Sequence, residues 1–163
     1  MIDTTVACCG LFCESCGVYI ATKADDRAAL EGIAQRMKTT SEEIRCLGCR
    51  SNTLSPHCRE CNFKLCADAK GVANCEDCDS FPCPDLADFQ KLLPHRAELF
   101  ESAAYRKANG IRAWTSKMIE DYSCTECGTV NSPYYIKCKN CGNDPGNPFI
   151  ARNRSLFEQK KLS

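Results

Sequence analysis

Apolar residues recur every three or four positions along several stretches of this chain, and each stretch reads as an amphipathic helix. Leu30, Ile33, Ala34 and Met37 form one such stripe, in a helix predicted over 27–38 that Asp25 and Asp26 cap. Arg27, Glu31, Gln35, Arg36 and Lys38 make its solvated face. Ser41, Glu42 and Glu43 then form a turn that delivers Ile44. Pro84 suits the first position of another helix, with Asp85 and Asp88 favourable in its first turn and Leu86, Phe89 and Leu93 on the buried face. Pro94 breaks it. A helix over 96–108 carries Ala97, Phe100, Ala104 and Ala108 at helical spacing, and Asn109-Gly110 stops it. Ile111, Trp114 and Met118 mark a shorter helix in which the lone tryptophan is a packing anchor. Tyr134, Tyr135 and Ile136 have the character of a strand.

Composition changes this picture through one residue type. Apolar residues make up 44% of the 163, but sixteen of them are cysteines. If most are ligands, the hydrophobic core is thin and bound metal replaces part of it. A structural zinc site is worth about 10–16 kcal/mol of apparent binding free energy, more than the whole stability of many small domains.

The cysteines carry their own pattern. Cys58, Cys61 and Cys66 recur as Cys75, Cys78 and Cys83, each displaced by the same seventeen positions. The shared spacing, C-x2-C-x4-C, predicts two loops with the same local geometry. A C-x2-C turn presents two thiolates to one side of the chain, and a tetrahedral ion needs four. Each triplet is one ligand short. Cys46 and Cys49 complete the set, either by giving one thiolate to each triplet or by forming a site with Cys58 and Cys61. The equivalence of Cys66 and Cys83 favours the interleaved arrangement.

Nearer the N-terminus, Cys9, Cys13 and Cys16 reproduce the C-x3-C-x2-C spacing by which radical S-adenosylmethionine enzymes hold a four-iron cluster. Those enzymes carry it on a large β/α barrel, with an aromatic residue before the last cysteine. Here Ser15 occupies that place and the chain is too short for the barrel. Zinc is the expected metal, and Cys8 is either a further ligand or a buried thiol. Towards the C-terminus, Cys124-x2-Cys127-Gly128 and Cys138-x2-Cys141-Gly142 have the spacing and glycine placement of a zinc ribbon. Glycine there tolerates positive φ and lets backbone N–H groups point at the sulfurs.

Other candidates receive structural readings. His57 is expected in an exposed loop. His95 shows no partner in the sequence and is expected at the surface. Arg152, Arg154, Lys160 and Lys161 outweigh Glu158 beyond Pro148, which reads as a solvated end.

Basic and acidic residues balance at twenty-one each. Four all-cysteine zinc sites would each add about −2, since ligating thiolates are ionised. A net acidic holoprotein is a poor generic partner for nucleic acid. The opening MIDTTVACCG has neither a basic n-region nor an apolar run of signal length, and no segment is long and apolar enough to span a membrane. The expectation is a cytoplasmic chain in which cysteines serve metals rather than disulfides.

The segments CGLFCESC at 9–16, YIATKADD at 19–26, IRCLGCRS at 44–51, HCRECNFKLCA at 57–67 and NCEDCDSFPCPDL at 74–86 resemble a cysteine-rich prokaryotic family without an assigned function. The resemblance covers about half of the chain. It implies zinc binding through Cys9, Cys13, Cys16, Cys46, Cys49, Cys58, Cys61, Cys66, Cys75, Cys78 and Cys83. Cys8 falls outside its pattern. The resemblance implies no reaction.

The sequence therefore predicts a small, metal-stabilised, mainly α protein. A cysteine-rich domain with zinc knuckles spans 1–93, a helical connector 94–121, a C-terminal β zinc ribbon 122–150 and a tail 151–163. About four zinc ions are expected. The predicted function is non-catalytic zinc binding in a protein-interaction module, with Tyr134 and Tyr135 on opposite faces of the ribbon strand contributing to the surface. The rival readings are an iron–sulfur or thiol redox protein, a nucleic-acid-associated zinc ribbon, and an enzyme with an open zinc at Cys9, Cys13 and Cys16. For the last, no carboxylate pair, histidine base or phosphate loop stands near the cysteines.

Overall fold

The computed structural model describes residues 4–161. The chain divides between Cys78 and Asp79 into two compact units. Both are helical. Among the described residues there are no β-strands, and extended pairing is limited to isolated antiparallel bridges, Val6 with Phe12 and Ser123 with Val130. The predicted C-terminal β zinc ribbon is therefore not formed. Its supposed strand is a turn: the Tyr135 N–H donates to the Ser132 carbonyl at 2.9 Å and the Tyr134 N–H to Ser132 Oγ at 3.3 Å. Pro133 between them has no N–H to offer a ladder. With their N–H groups used within the turn, Tyr134 and Tyr135 have none left to donate to a neighbouring strand.

The first unit contains α1 (Gly17–Lys23), α2 (Arg27–Met37), α3 (Pro56–Arg59) and α4 (Asn62–Lys70), with 3-10 turns at Cys13–Ser15 and Cys75–Asp77. Asp26 is the N-cap of α2, its carboxylate accepting the Ala29 N–H at 3.0 Å. Asp25 instead pairs with Arg45 at 2.6 Å. At the other end Lys38 is left-handed (φ 54), and the Thr39 N–H returns to the Ala34 carbonyl at 3.0 Å. Ala21, Leu30, Ala34 and Ile44 form the buried cluster, with Val18, Ala29 and Ile33 against it. Met37 does not join it, being 49% exposed. Ile44, delivered by the turn at 41–44, completes the cluster instead. Each large aliphatic side chain buried there is worth about 1.5–3 kcal/mol.

The second unit contains α5 (Pro84–Leu92), α6 (Leu99–Tyr122) and α7 (Pro148–Lys161), with a 3-10 turn at Pro94–Arg96. Within α6, Gly110 is non-helical at φ 81, ψ 166, a conformation that favours glycine. The halves on either side fold back on each other. Trp114 Nε1 donates to Ser102 Oγ at 2.8 Å, whereas twelve residues of straight helix would span about 18 Å. Trp114 is fully buried, and the Arg106 guanidinium lies 4.9 Å from its ring centre. The buried face is Leu99, Ala103, Arg106, Trp114 and Met118, so Ala104 and Ala108 are exposed rather than inward. Alanine buries too little area to orient a helix, and the large side chains set the face.

The segment expected as a solvated end is a docked helix. Phe149, Ile150 and Phe157 of α7 are buried, and Phe149 stacks on Tyr122 at 5.0 Å. Arg152 meets Glu98 through two bonds, at 2.9 and 3.0 Å, and Asp121 at 3.1 Å. Arg154 pairs with Asp144. The side chains of Lys160 and Lys161 lie outside those described. His95 has a partner that the sequence did not show, its Nδ1 lying 2.7 Å from the Tyr134 hydroxyl in an exposed contact.

Candidate metal centre

Cys124, Cys127, Cys138 and Cys141 converge so that their sulfurs all lie within 4.8 Å of one another. They come from two copies of one turn. The Cys124 N–H donates to the Thr129 carbonyl at 2.9 Å and the Gly128 N–H returns to the Cys124 carbonyl at 2.9 Å. Fourteen residues on, the Cys138 N–H donates to the Asn143 carbonyl at 2.8 Å and the Gly142 N–H to the Cys138 carbonyl at 2.9 Å. Gly128 and Gly142 close the turns at φ 71 and 77. A Cβ at either would meet nothing within 4 Å, so backbone conformation alone demands glycine.

Across the turns, Cys124 and Cys141 sulfurs are 3.6 Å apart, as are those of Cys127 and Cys138. A tetrahedral ion at a Zn–S distance of about 2.3 Å holds its sulfurs about 3.8 Å apart, so the four already stand close to coordinating separation. Donors surround them. The Thr129 hydroxyl and N–H hold the Cys127 thiol down to about 6. Backbone N–H groups, chiefly that of Cys141, lower Cys138. At Cys141 the Asn143 N–H pulls down, but burial and the three neighbouring sulfurs outweigh it and push the thiol up to about 12. Such mutual opposition among four close sulfurs is what a divalent cation relieves.

The sequence reading missed Asn131. Its side chain is buried, and Nδ2 reaches Cys138 Sγ at 3.3 Å, the Thr129 carbonyl at 2.8 Å and the Gly146 carbonyl at 3.3 Å. Oδ1 accepts the Lys139 N–H at 3.0 Å. The Asn131 carbonyl in turn accepts from Asn147 Nδ2 at 3.3 Å, and Asn147 Oδ1 caps α7 by accepting the Ile150 N–H at 2.9 Å. The available signal was a pair of amide residues beside prolines, Asn131 before Ser132-Pro133 and Asn147 before Pro148.

The first-unit cysteines come together differently. Cys8 is buried, and its neighbours Cys49 and Cys75 act on its thiol in opposite senses, Cys49 lowering it and Cys75, with burial, raising it. Cys13 accepts the Cys49 backbone N–H, and burial is the main cause that raises its thiol. Cys46 and Cys58 form a separate pair in which Cys58 donates, lowering Cys46 and raising itself. Cys16, also raised by burial, neighbours both. Cys46 and Cys49 thus face different neighbours.

The triplets do not share a local geometry. Cys61 is the N-cap of α4 and Cys66 sits exposed within it, whereas Cys78 ends a 3-10 turn and Cys83 is the N-cap of α5. In the second copy the helix starts only at Pro84, so positions 79–83 are not helical where the equivalent Asn62–Cys66 already are, and Pro82 there has no N–H to offer a helix. Cys78 accepts from Lys70 Nζ at 3.4 Å. His57 is exposed on α3. Cys9 is buried beside Cys8 and Cys13. All sixteen cysteines are free of disulfides, and among the described residues no helix is long and apolar enough to cross a membrane.

Residues 5–88, just over half of the chain, match the family described as Protein of unknown function (DUF3795), and the chain belongs to that family. No curated protein and no solved structure matches the chain. The matched segment covers the first-unit cysteines and stops short of the Cys124–Cys141 centre.

Proposed function

We propose that this member of the DUF3795 family is a zinc-binding protein without turnover of its own, whose output is to present a metal-fixed surface to a protein partner. The observation that carries the zinc reading is the pair of 3.6 Å cross-turn sulfur distances at Cys124/Cys141 and Cys127/Cys138. They fit a single ion. An iron–sulfur cluster interposes several atoms between its thiolates and needs a wider cage. Four protein ligands close the tetrahedron, so the ion organises the chain and has no open position at which to activate water. A protein partner suits the charge better than nucleic acid, because balanced basic and acidic residues plus ionised thiolates leave the holoprotein acidic.

Metal analysis of anaerobically purified, dialysed protein tests this. Zinc is expected, with one equivalent lost in Cys127→Ser. Iron with acid-labile sulfide in place of zinc overturns the metal assignment. Retention of the holoprotein on nucleic acid at physiological salt overturns the partner class.

A further inference from the structure

We infer that the Cys124–Cys141 centre is a reversible redox switch: a hydroperoxide oxidises its sulfurs in pairs across the two turns, Cys124 with Cys141 and Cys127 with Cys138, and the ion leaves. This rests on the zinc reading above and adds the regulation of that site.

Two features of the four ligands point there. Exposure divides them, since Cys127 and Cys141 are exposed whereas Cys124 and Cys138 are only 2% and 3% exposed. Contact then joins them across that division, because each sulfur pair at 3.6 Å holds one exposed and one buried member. An oxidant arriving from solvent meets Cys127 or Cys141 first, and each has a buried partner already in contact to complete the reaction. A disulfide needs about 2.0 Å between its sulfurs. Closing a gap of 3.6 Å therefore moves each sulfur by less than about 1 Å.

The steps balance. The Cys127 thiolate attacks one peroxide oxygen, the O–O bond breaks, and hydroxide departs from the sulfenic acid that forms. The Cys138 thiolate attacks that sulfur, the S–O bond breaks, and a second hydroxide leaves as the disulfide closes. Cys141 and Cys124 repeat the sequence in the same roles. Two peroxides take up four electrons, four thiolates become two disulfides, and a divalent ion that needs thiolate ligands dissociates.

Pairing across the turns decides what remains. Each turn is closed by its own backbone bond, the Gly128 N–H to the Cys124 carbonyl and the Gly142 N–H to the Cys138 carbonyl, both at 2.9 Å. Disulfides within the turns would let the two part once the ion has gone. Disulfides between them take over the ion's task of tying one turn to the other. Asn131 adds to this, because Nδ2 keeps the Thr129 carbonyl at 2.8 Å and the Gly146 carbonyl at 3.3 Å whether or not Cys138 is charged. The oxidised site thus stays assembled, and a thiol reductant returns four ligands to their places.

The experiment treats the zinc-loaded full chain with stepwise hydrogen peroxide, reads zinc release with a chromophoric chelator, and maps disulfides by mass spectrometry of unreduced peptides. Release of the equivalent that Cys127→Ser lacks is expected, together with the cross-links Cys124–Cys141 and Cys127–Cys138. A brief pulse in the presence of dimedone should label Cys127 or Cys141. Dithiothreitol with added zinc should restore the stoichiometry and the melting temperature. Cross-links within the turns, Cys124–Cys127 and Cys138–Cys141, overturn the inference, as do sulfinic acids in place of disulfides or dimedone on Cys124 or Cys138. So does zinc that is present and retained under a large excess of peroxide, a result that leaves the proposed function standing. A chain holding no zinc before peroxide is added sinks the proposed function and the release step with it.

Discussion

Replacing Asn131 by alanine should loosen the metal centre without touching a ligand. Nδ2 has two N–H groups but faces three acceptors, the Thr129 carbonyl at 2.8 Å and Cys138 Sγ and the Gly146 carbonyl at 3.3 Å each, so one N–H is shared. Oδ1 adds the bond from the Lys139 N–H at 3.0 Å. Neutral bonds of this kind contribute about 1 kcal/mol each, and one to an ionised acceptor about 1.5–3 kcal/mol. With Asn131 only 1% exposed, water cannot readily replace them. The second unit should therefore lose about 3–5 kcal/mol of stability. Only the bond to Cys138 and the placing of Lys139 bear on the ion, so zinc affinity should fall about ten- to a hundredfold. Competition against a chromophoric chelator at neutral pH measures the affinity, and thermal melts of the zinc-loaded chain measure the stability. Asn131→Asp should be worse for affinity, since it replaces N–H donors by an oxygen facing a thiolate and two carbonyls. An alanine variant with unchanged melting and affinity within about threefold of wild type would refute the assigned role of Asn131.

Further predictions follow from single contacts. Gly146→Ala places a Cβ 2.5 Å from the Tyr135 carbonyl oxygen and 3.1 Å from the Cys138 nitrogen; the clash should cost about 1–3 kcal/mol and lower both melting temperature and zinc affinity. Asp26→Ala removes the α2 cap and should cost about 1 kcal/mol in urea unfolding of the first unit, with the Cys124–Cys141 centre unaffected. Glu98 is held below its ordinary value of 4.5: burial opposes this, but the Arg152 guanidinium and the Asn153 amide outweigh it. A depressed carboxylate stabilises the fold above 4.5 and loses that contribution as pH falls through its folded value. Wild type minus Glu98→Gln should thus show a stability difference that is constant near neutrality and shrinks in acid, with metal loading matched in both proteins.

Much of the helical layout was legible because its signals are local. Asp26 before a periodic run, Pro84 after a cysteine and Asn109-Gly110 between two runs each specify a backbone event irrespective of tertiary context. The four converging cysteines were legible for the same reason: the spacing and the following glycine dictate each turn. What surrounds the turns was not. The run Tyr134-Tyr135-Ile136 has strand propensity, yet propensity expresses itself only where a partner strand is available, and Ser132-Pro133 turns the chain before one can form. The charges after Pro148 suggest a solvated end, yet Phe149, Ile150, Asn153 and Phe157 lie at helical spacing and three of them are buried. The seventeen-residue repeat is real in sequence but not in conformation: the helix begins at Asn62 in one copy and only at Pro84, after Pro82, in the other.

The metal centre and α7 are parts of one structure. Asn131 holds Cys138 Sγ with its side chain and offers its carbonyl to Asn147 Nδ2, and Asn147 uses its own oxygen to cap the helix at the Ile150 N–H. A displacement at the sulfur is thus only two side chains away from the first turn of the helix, where Phe149 packs on Tyr122 and Arg152 joins Glu98 and Asp121. An ion that fixes the four sulfurs therefore fixes Asn131, and through it the start of α7. By linkage, whatever docks the helix more firmly must also tighten the ion. Without strands to hold the segment between Ser123 and Asn147, this metal-to-amide-to-helix connection takes the part that a sheet would otherwise play in giving the second unit a fixed surface.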